Sequence, residues 1–137
     1  MKTAEIVKIK IEKLDDDLSG VAFRGGKKYV VAKTLPDEEV LCEVKRKSGN
    51  AVICDVKEIL EKSGKRVEPR CKYYDKCGGC NLLHTSHRNQ LEIKTALIRR
   101  KFAALGFSAV SDAVGFSEDG SRNKTHIVFG NSKGQIT

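Results

Sequence analysis

"GVAFRGGKKYVVAK", residues 20–33, sets two short runs rich in valine and aromatic residues on either side of Gly25-Gly26. A glycine pair between such runs reads as a two-residue hairpin turn, which makes Gly20 to Arg24 and Lys27 to Lys33 two antiparallel strands. Upstream, Val7, Ile9 and Ile11 alternate with Lys8, Lys10 and Glu12, the two-residue period of a strand buried on one face. Downstream, Glu39 to Lys45 and Ala51 to Ile59 flank a second turn at Ser48-Gly49-Asn50. Five short strands with no helix between them predict a small closed barrel over residues 1–60.

Strands that reverse direction in succession place these two turns at one end of the barrel and the other connections at the opposite end. The charges divide in the same way. Arg24, Lys27, Lys28, Lys45, Arg46 and Lys47 flank the glycine turns, whereas Asp15, Asp16, Asp17, Asp37, Glu38 and Glu39 occupy the other connections. A barrel polarised like this presents its basic tips to a phosphate backbone and turns its acidic end away. Tyr29, beside the first tip, is placed to stack on a base or to pack at the edge of the core. Cys42 and Cys54 keep phase with Val40, Val44, Val52 and Val56, so they are expected on the inner face as small hydrophobes.

The net charge of +8 is uneven: residues 1–65 carry 14 basic against 12 acidic side chains, and residues 66–137 carry 12 against 6. This balance favours a polyanionic partner, RNA or DNA, over a membrane, because no basic amphipathic anchor is evident. No apolar signal core follows Met1-Lys2, and no apolar run approaches the ~20 residues needed to span a bilayer. A cytoplasmic protein is expected, with 137 residues sufficient for one domain or for a small domain and part of another, but not for a separate large catalytic domain.

Residues 71–84, "CKYYDKCGGCNLLH", change the character of the chain. Cys71, Cys77 and Cys80 stand in C-x5-C-x2-C spacing, with Gly78-Gly79 allowing the backbone to fold sharply and direct amides at sulfur. In a reducing compartment such a cluster points to a metal rather than to disulfides. Two centres compete on spacing alone. Zinc would be satisfied within the loop by the three cysteines and His84, whereas an iron–sulfur cluster needs a fourth ligand from elsewhere. A helix follows over residues 86–105, capped by Thr85 or Ser86 and ended by Gly106. Leu91, Thr95, Ile98, Phe102 and Leu105 form its apolar stripe, expected to pack on a neighbour, while Arg88, Arg99, Arg100 and Lys101 project from the other side.

The order of these segments resembles the start of the RNA (uracil-5-)-methyltransferases that carry a TRAM domain and a [4Fe–4S] cluster, whose best-known members act on ribosomal RNA. The carrying residues are Arg66, Pro69, Cys71, Cys77, Cys80, His84, Gln90, Leu91 and Lys94, followed by Arg122-Asn123-Lys124. The resemblance implies an OB-like TRAM barrel over residues 1–60, a connector and metal loop over 61–85, a helix over 86–106 and the beginning of an α+β central domain over 107–137. It assigns Cys71, Cys77 and Cys80 to the cluster, makes His84 a structural residue, and adds Arg122 and Lys124 to the RNA contacts. It also implies S-adenosylmethionine as the methyl donor of a full-length parent only, and a monomer is expected. No cysteine follows Cys80, and neither an S-adenosylmethionine-binding domain nor a catalytic cysteine is recognisable. The expectation is therefore a piece of a longer enzyme, inactive alone. A self-contained zinc module that binds nucleic acid is the competing expectation.

Overall fold

The computed structural model describes residues 4–115 and two short strands, Asn131–Ser132 and Gln135–Ile136, which pair with each other. The main sheet has six strands, one more than expected: β1 (Ile6–Lys10), β2 (Lys13–Leu14), β3 (Gly20–Arg24), β4 (Lys27–Val31), β5 (Glu39–Ser48) and β6 (Ala51–Glu61). The extra strand arises because the first segment changes partner at Ile11. Its amide and carbonyl turn to the β4–β5 loop, with Ile11 N–H donating to Glu38 O and Asp37 N–H to Ile11 O, both at 2.8 Å. Beyond this break the chain pairs with β3 instead of β5.

The sheet runs in the order β1-β5-β6-β4-β3-β2 and is not a closed barrel, since no ladder joins its edges β1 and β2. An open seam remains between β1 and β3, a groove of about 620 Å³ crossed by the Arg24 Nη1 hydrogen bond to Lys8 O at 3.1 Å. The neighbours β4 and β6 pair in parallel, Lys28 opposite Ala51 through Val31 opposite Cys54. This pairing sets the two glycine turns side by side, and Lys28 N–H donates to Asn50 O at 2.8 Å. Gly25, Gly26 and Gly49 all have positive φ there, which any side chain would resist.

One face of the sheet buries Ile9, Ile11, Ala22, Val31, Val40, Cys42, Val52 and Cys54, with Tyr29 packed at the rim. Cys42 and Cys54 are thus core residues, and burial pushes the Cys42 thiol up to about 12. Gly20 is confined by this packing: a Cβ there would lie 2.0 Å from Thr34 Oγ1 and 2.8 Å from Ile11 Cγ2.

The acidic connections are not simply solvated. Glu38 is fully buried, and its carboxylate accepts from Arg66 Nε at 2.5 Å and Nη2 at 2.8 Å, from Leu35 N–H at 2.9 Å and from Ser63 N–H at 3.2 Å. Arg66 Nη2 also donates to Lys33 O at 2.8 Å. The pair ties the connector after β6 to the β4–β5 loop.

Helix α1 spans His87–Ala104, with Ser86 Oγ accepting from Asn89 N–H at its start and Gly106, at φ 87°, just beyond its end. Its apolar stripe, expected to pack on a neighbour, is only partly covered among the described residues. Only Asn89 and Thr95 are buried on it, and Ile98 and Phe102 stay exposed. The segment after the helix covers part of it, Phe107 meeting Phe102 edge-on at 6.0 Å and Ala113 N–H donating to Thr95 Oγ1 at 2.8 Å. Among the described residues no helix is long and apolar enough to cross a membrane.

Removing one partner of a buried ion pair leaves an uncompensated charge. Arg66→Met is therefore expected to destabilise the fold by about 3–5 kcal/mol in urea denaturation at neutral pH. A loss below about 1 kcal/mol would show that the pair does not hold the connector.

Candidate RNA interface and cysteine loop

The six basic residues flanking the glycine turns are not equivalent. Lys45 Nζ lies 2.9 Å from Glu43 and Lys47 Nζ 2.8 Å from Glu5, and these hydrogen bonds raise both ammonium pKa values. Arg24 is engaged with the Lys8 carbonyl. Lys27, Lys28 and Arg46 form no ion pair among the described residues, which leaves them as the uncompensated cations at the shared end of the two hairpins. Arg122 and Lys124 lie outside the described residues.

The basic side of α1 is largely neutralised. Arg100 and Lys101 meet Asp16 at 2.6 and 3.2 Å, Arg99 meets Asp112 at 2.5 Å and Arg88 meets Glu92 at 3.3 Å. The Arg100 hydrogen bond, with that of Lys101, holds the Asp16 carboxyl below its usual range. The acidic end of the sheet thus receives the helix.

In the cysteine loop, Tyr74 N–H donates to Cys71 O at 3.1 Å and Cys77 N–H to Tyr73 O at 2.8 Å, which wraps the first half into tight turns. Cys77 and Cys80 are exposed, Cys71 is half-buried, and all three thiols are free. Gly79 N–H points at Cys77 Sγ at 3.4 Å, the amide-to-sulfur contact that a glycine permits. Among the described residues no group of three or more His, Cys, Asp or Glu side chains gathers closely enough to hold a metal. The soft, accessible donors fit a thiophilic centre in chemistry, and such a centre would draw them together with a fourth ligand from outside this set.

His84 is not aimed at the thiols. It is fully buried, with Nδ1 2.6 Å from Tyr74 Oη and Nε2 3.3 Å from Thr34 O. A carbonyl only accepts, so Nε2 carries the hydrogen and Nδ1 accepts from the tyrosine hydroxyl. Both ring nitrogens are thus engaged within the fold. Burial, reinforced by the Arg66 charge, holds His84 well below its ordinary range at about 4. The loop is pinned nearby by Val67 N–H donating to His84 O at 3.0 Å and Thr85 Oγ1 donating to Lys65 O at 2.7 Å.

Sequence reasoning missed Glu38 and Thr34 as partners of Arg66 and His84, because these pairings join segments 28 and 50 residues apart; it missed Tyr74, within the same loop as His84, because spacing offers that histidine as a metal ligand. It also missed Phe23. The two-residue turn at Gly25-Gly26 fixes Phe23 opposite Lys28, and that register would have placed an aromatic ring on the outer face among lysines.

No family model matches the chain. An uncharacterised RNA methyltransferase of Listeria monocytogenes is 31% identical over 140 residues, covering 100% of this chain and 31% of the relative. Another, of Caldanaerobacter subterraneus subsp. tengcongensis, is 33% identical over 133 residues, covering 95% and 29%. The 23S rRNA (uracil(1939)-C(5))-methyltransferase RlmD of Pseudomonas savastanoi pv. phaseolicola is 36% identical over 91 residues, covering 66% and 20%. Among solved structures, the Pyrococcus abyssi tRNA (uracil-54, C5)-methyltransferase in complex with S-adenosyl-L-homocysteine matches with a TM-score of 0.51 at 30% identity, covering 74% of this chain and 22% of that one. The chain is a homologue of RNA methyltransferases. Those of its relatives named here for a target base are uracil-C5 enzymes, which the resemblance at residues 66–94 implied. The chain spans between 20% and 31% of the length of these curated relatives.

The His84 pocket makes stability acid-sensitive in a defined window. The unfolded chain protonates this histidine near pH 6.5 and the folded chain only near 4, so the unfolded state binds more protons in between. Stability is full above pH 6.5 and is expected to fall by about 3 kcal/mol as pH drops toward 4. Denaturant midpoints measured across that window should show the slope, and His84→Gln should flatten it. Glu38 acts lower down. Although burial alone would raise its carboxyl, the Arg66 hydrogen bond and the Leu35 and Ser63 amides hold it below 4.5, so its contribution is lost only beneath that pH.

Proposed function

We propose that this chain is the RNA-binding front part of an S-adenosylmethionine-dependent RNA (uracil-C5) methyltransferase, with ribosomal RNA as the substrate class. Identity of 31% along 100% of the chain to an RNA methyltransferase more than three times as long is the observation that carries this reading. In it, the sheet serves as a TRAM-type unit that meets RNA with Lys27, Lys28 and Arg46, in a monomeric cytoplasmic protein. Methyl transfer to the uracil belongs to the remainder of a longer enzyme, since none of the five cysteines here is set as a nucleophile: Cys42 and Cys54 are buried in strands and the other three share the loop.

Cys71, Cys77 and Cys80 would supply three ligands of a [4Fe–4S] cluster, the fourth coming from outside the described residues. Bound, such a cluster cross-links the loop, and methyl transfer makes no demand on its electrons. His84 would support the loop from beneath, through Tyr74, without touching iron.

The RNA reading is tested by binding labelled RNA over a range of salt. The slope of log Kd against log salt should fall by about one for each of Lys27→Ala, Lys28→Ala and Arg46→Ala, with weaker binding across all sequences. Removing the Lys47–Glu5 pair together, as Lys47→Ala with Glu5→Ala, should change it less, because that ammonium is already met by its carboxylate. Salt-insensitive binding would sink the reading.

Anaerobic purification followed by metal analysis is expected to yield iron with labile sulfide, reduced in Cys77→Ser and retained in His84→Gln. Stoichiometric zinc that depends on His84 would overturn the cluster assignment.

A further inference from the structure

Phe23 is the one side chain of β3 that is both large and apolar and yet lies outside the core. It is 53% exposed, although Val21 and Ala22 before it are buried. Single exposed apolar residues are ordinary; what separates this one is its surroundings. Lys28 stands directly opposite it across the hairpin, and Lys13 Nζ lies 5.6 Å from the ring centroid. The ring borders the groove of the open seam, whose walls also carry Lys8, Lys10 and Arg24. Two carboxylates line that groove, Glu12 and Asp37, and Glu12 is occupied in accepting the Phe23 N–H at 3.0 Å. Lys10, Lys13 and Lys28 form no ion pair among the described residues.

On another side the ring borders a second hollow that holds Asp15, Asp16 and Asp17, of which Asp16 is paired with Arg100 and Lys101. A half-exposed aromatic ring with Lys13 and Lys28 beside it suits a ligand that is flat and apolar in one part and anionic in the next, entering from the lysine side. An unpaired nucleotide has that form: every base offers a π-face, and the phosphates on either side of it carry the charge. A duplex encloses its base faces and cannot use the ring. We propose that Phe23 is a stacking platform for an unpaired base of single-stranded RNA, with Lys28 and Lys13 engaging the flanking phosphates and the seam groove receiving the continuing strand. The proposal rests on the RNA-binding reading and narrows it from RNA in general to an unpaired segment crossing β3.

The test is fluorescence anisotropy with a short labelled oligouridine and, separately, a labelled RNA duplex. Phe23→Ala removes only an exposed ring, and is expected to weaken binding of the single strand about tenfold or more while leaving the duplex within about twofold. The chain contains no tryptophan, so Phe23→Trp places one indole at the platform. That variant should retain single-strand affinity, and its emission should be quenched on saturation with oligouridine. Equal effects of Phe23→Ala on single strand and duplex, or an indole signal unmoved by bound oligouridine, would overturn the platform while leaving the RNA reading intact. A wild-type chain that binds neither RNA would remove both.

Discussion

A carboxylate with no exposure to water governs how this chain holds together. Taking Glu38 out of solvent is costly, and the structure offsets that cost with the two-pronged Arg66 guanidinium and two backbone amides. Those donors come from three places in the chain. The β4–β5 loop, the end of β6 and the connector must therefore converge on one point before the charge is satisfied. Such pairs are modest sources of net stability, but they penalise every arrangement that separates the partners. Here that penalty fixes where the cysteine loop leaves the sheet.

The loop inherits its position from this clamp and from the pocket beside it. Arg66 forms an isolated bridge with Thr85, so the two ends of the cysteine segment are held together at its base. Tyr74 reaches down to His84, which reaches on to the Thr34 carbonyl in the same β4–β5 loop that Glu38 belongs to. Residues 66, 74 and 84 thus act as anchors, and the cysteines project from an anchored base. His84, which spacing alone offers as a ligand, is here one of these supports.

Much of the sheet was legible because local chemistry dictates it. Two glycines between valine-rich runs fix a hairpin, alternation at Val7, Ile9 and Ile11 fixes a buried face, and the phase of Cys42 and Cys54 puts both in the core. The helix was legible from its cap and its spacing. What escaped were features decided by distant partners. The break at Ile11 depends on Glu38 and Asp37 crossing it, and the parallel contact of β4 with β6 has no local signature. The same holds for the charges: sign is visible in sequence, but whether Lys47 is free or held by Glu5, or Arg100 by Asp16, depends on the fold. The C-x5-C-x2-C spacing was plain, yet spacing alone left His84 open as a ligand, and only its two hydrogen bonds assign it elsewhere.

The backbone bond from Lys28 to Asn50 has a thermodynamic corollary. It joins two turns already stiffened by strand pairing, so the cations of both stand on stems whose relative position is set before any ligand arrives. Ordering entropy on association then falls on a few lysine and arginine rotamers, about 0.5–1.5 kcal/mol for each one immobilised, and not on loops. An end preorganised in this way discriminates by distance: it rewards a polyanion whose charges match the spacing of the two tips and gives little to one whose charges do not.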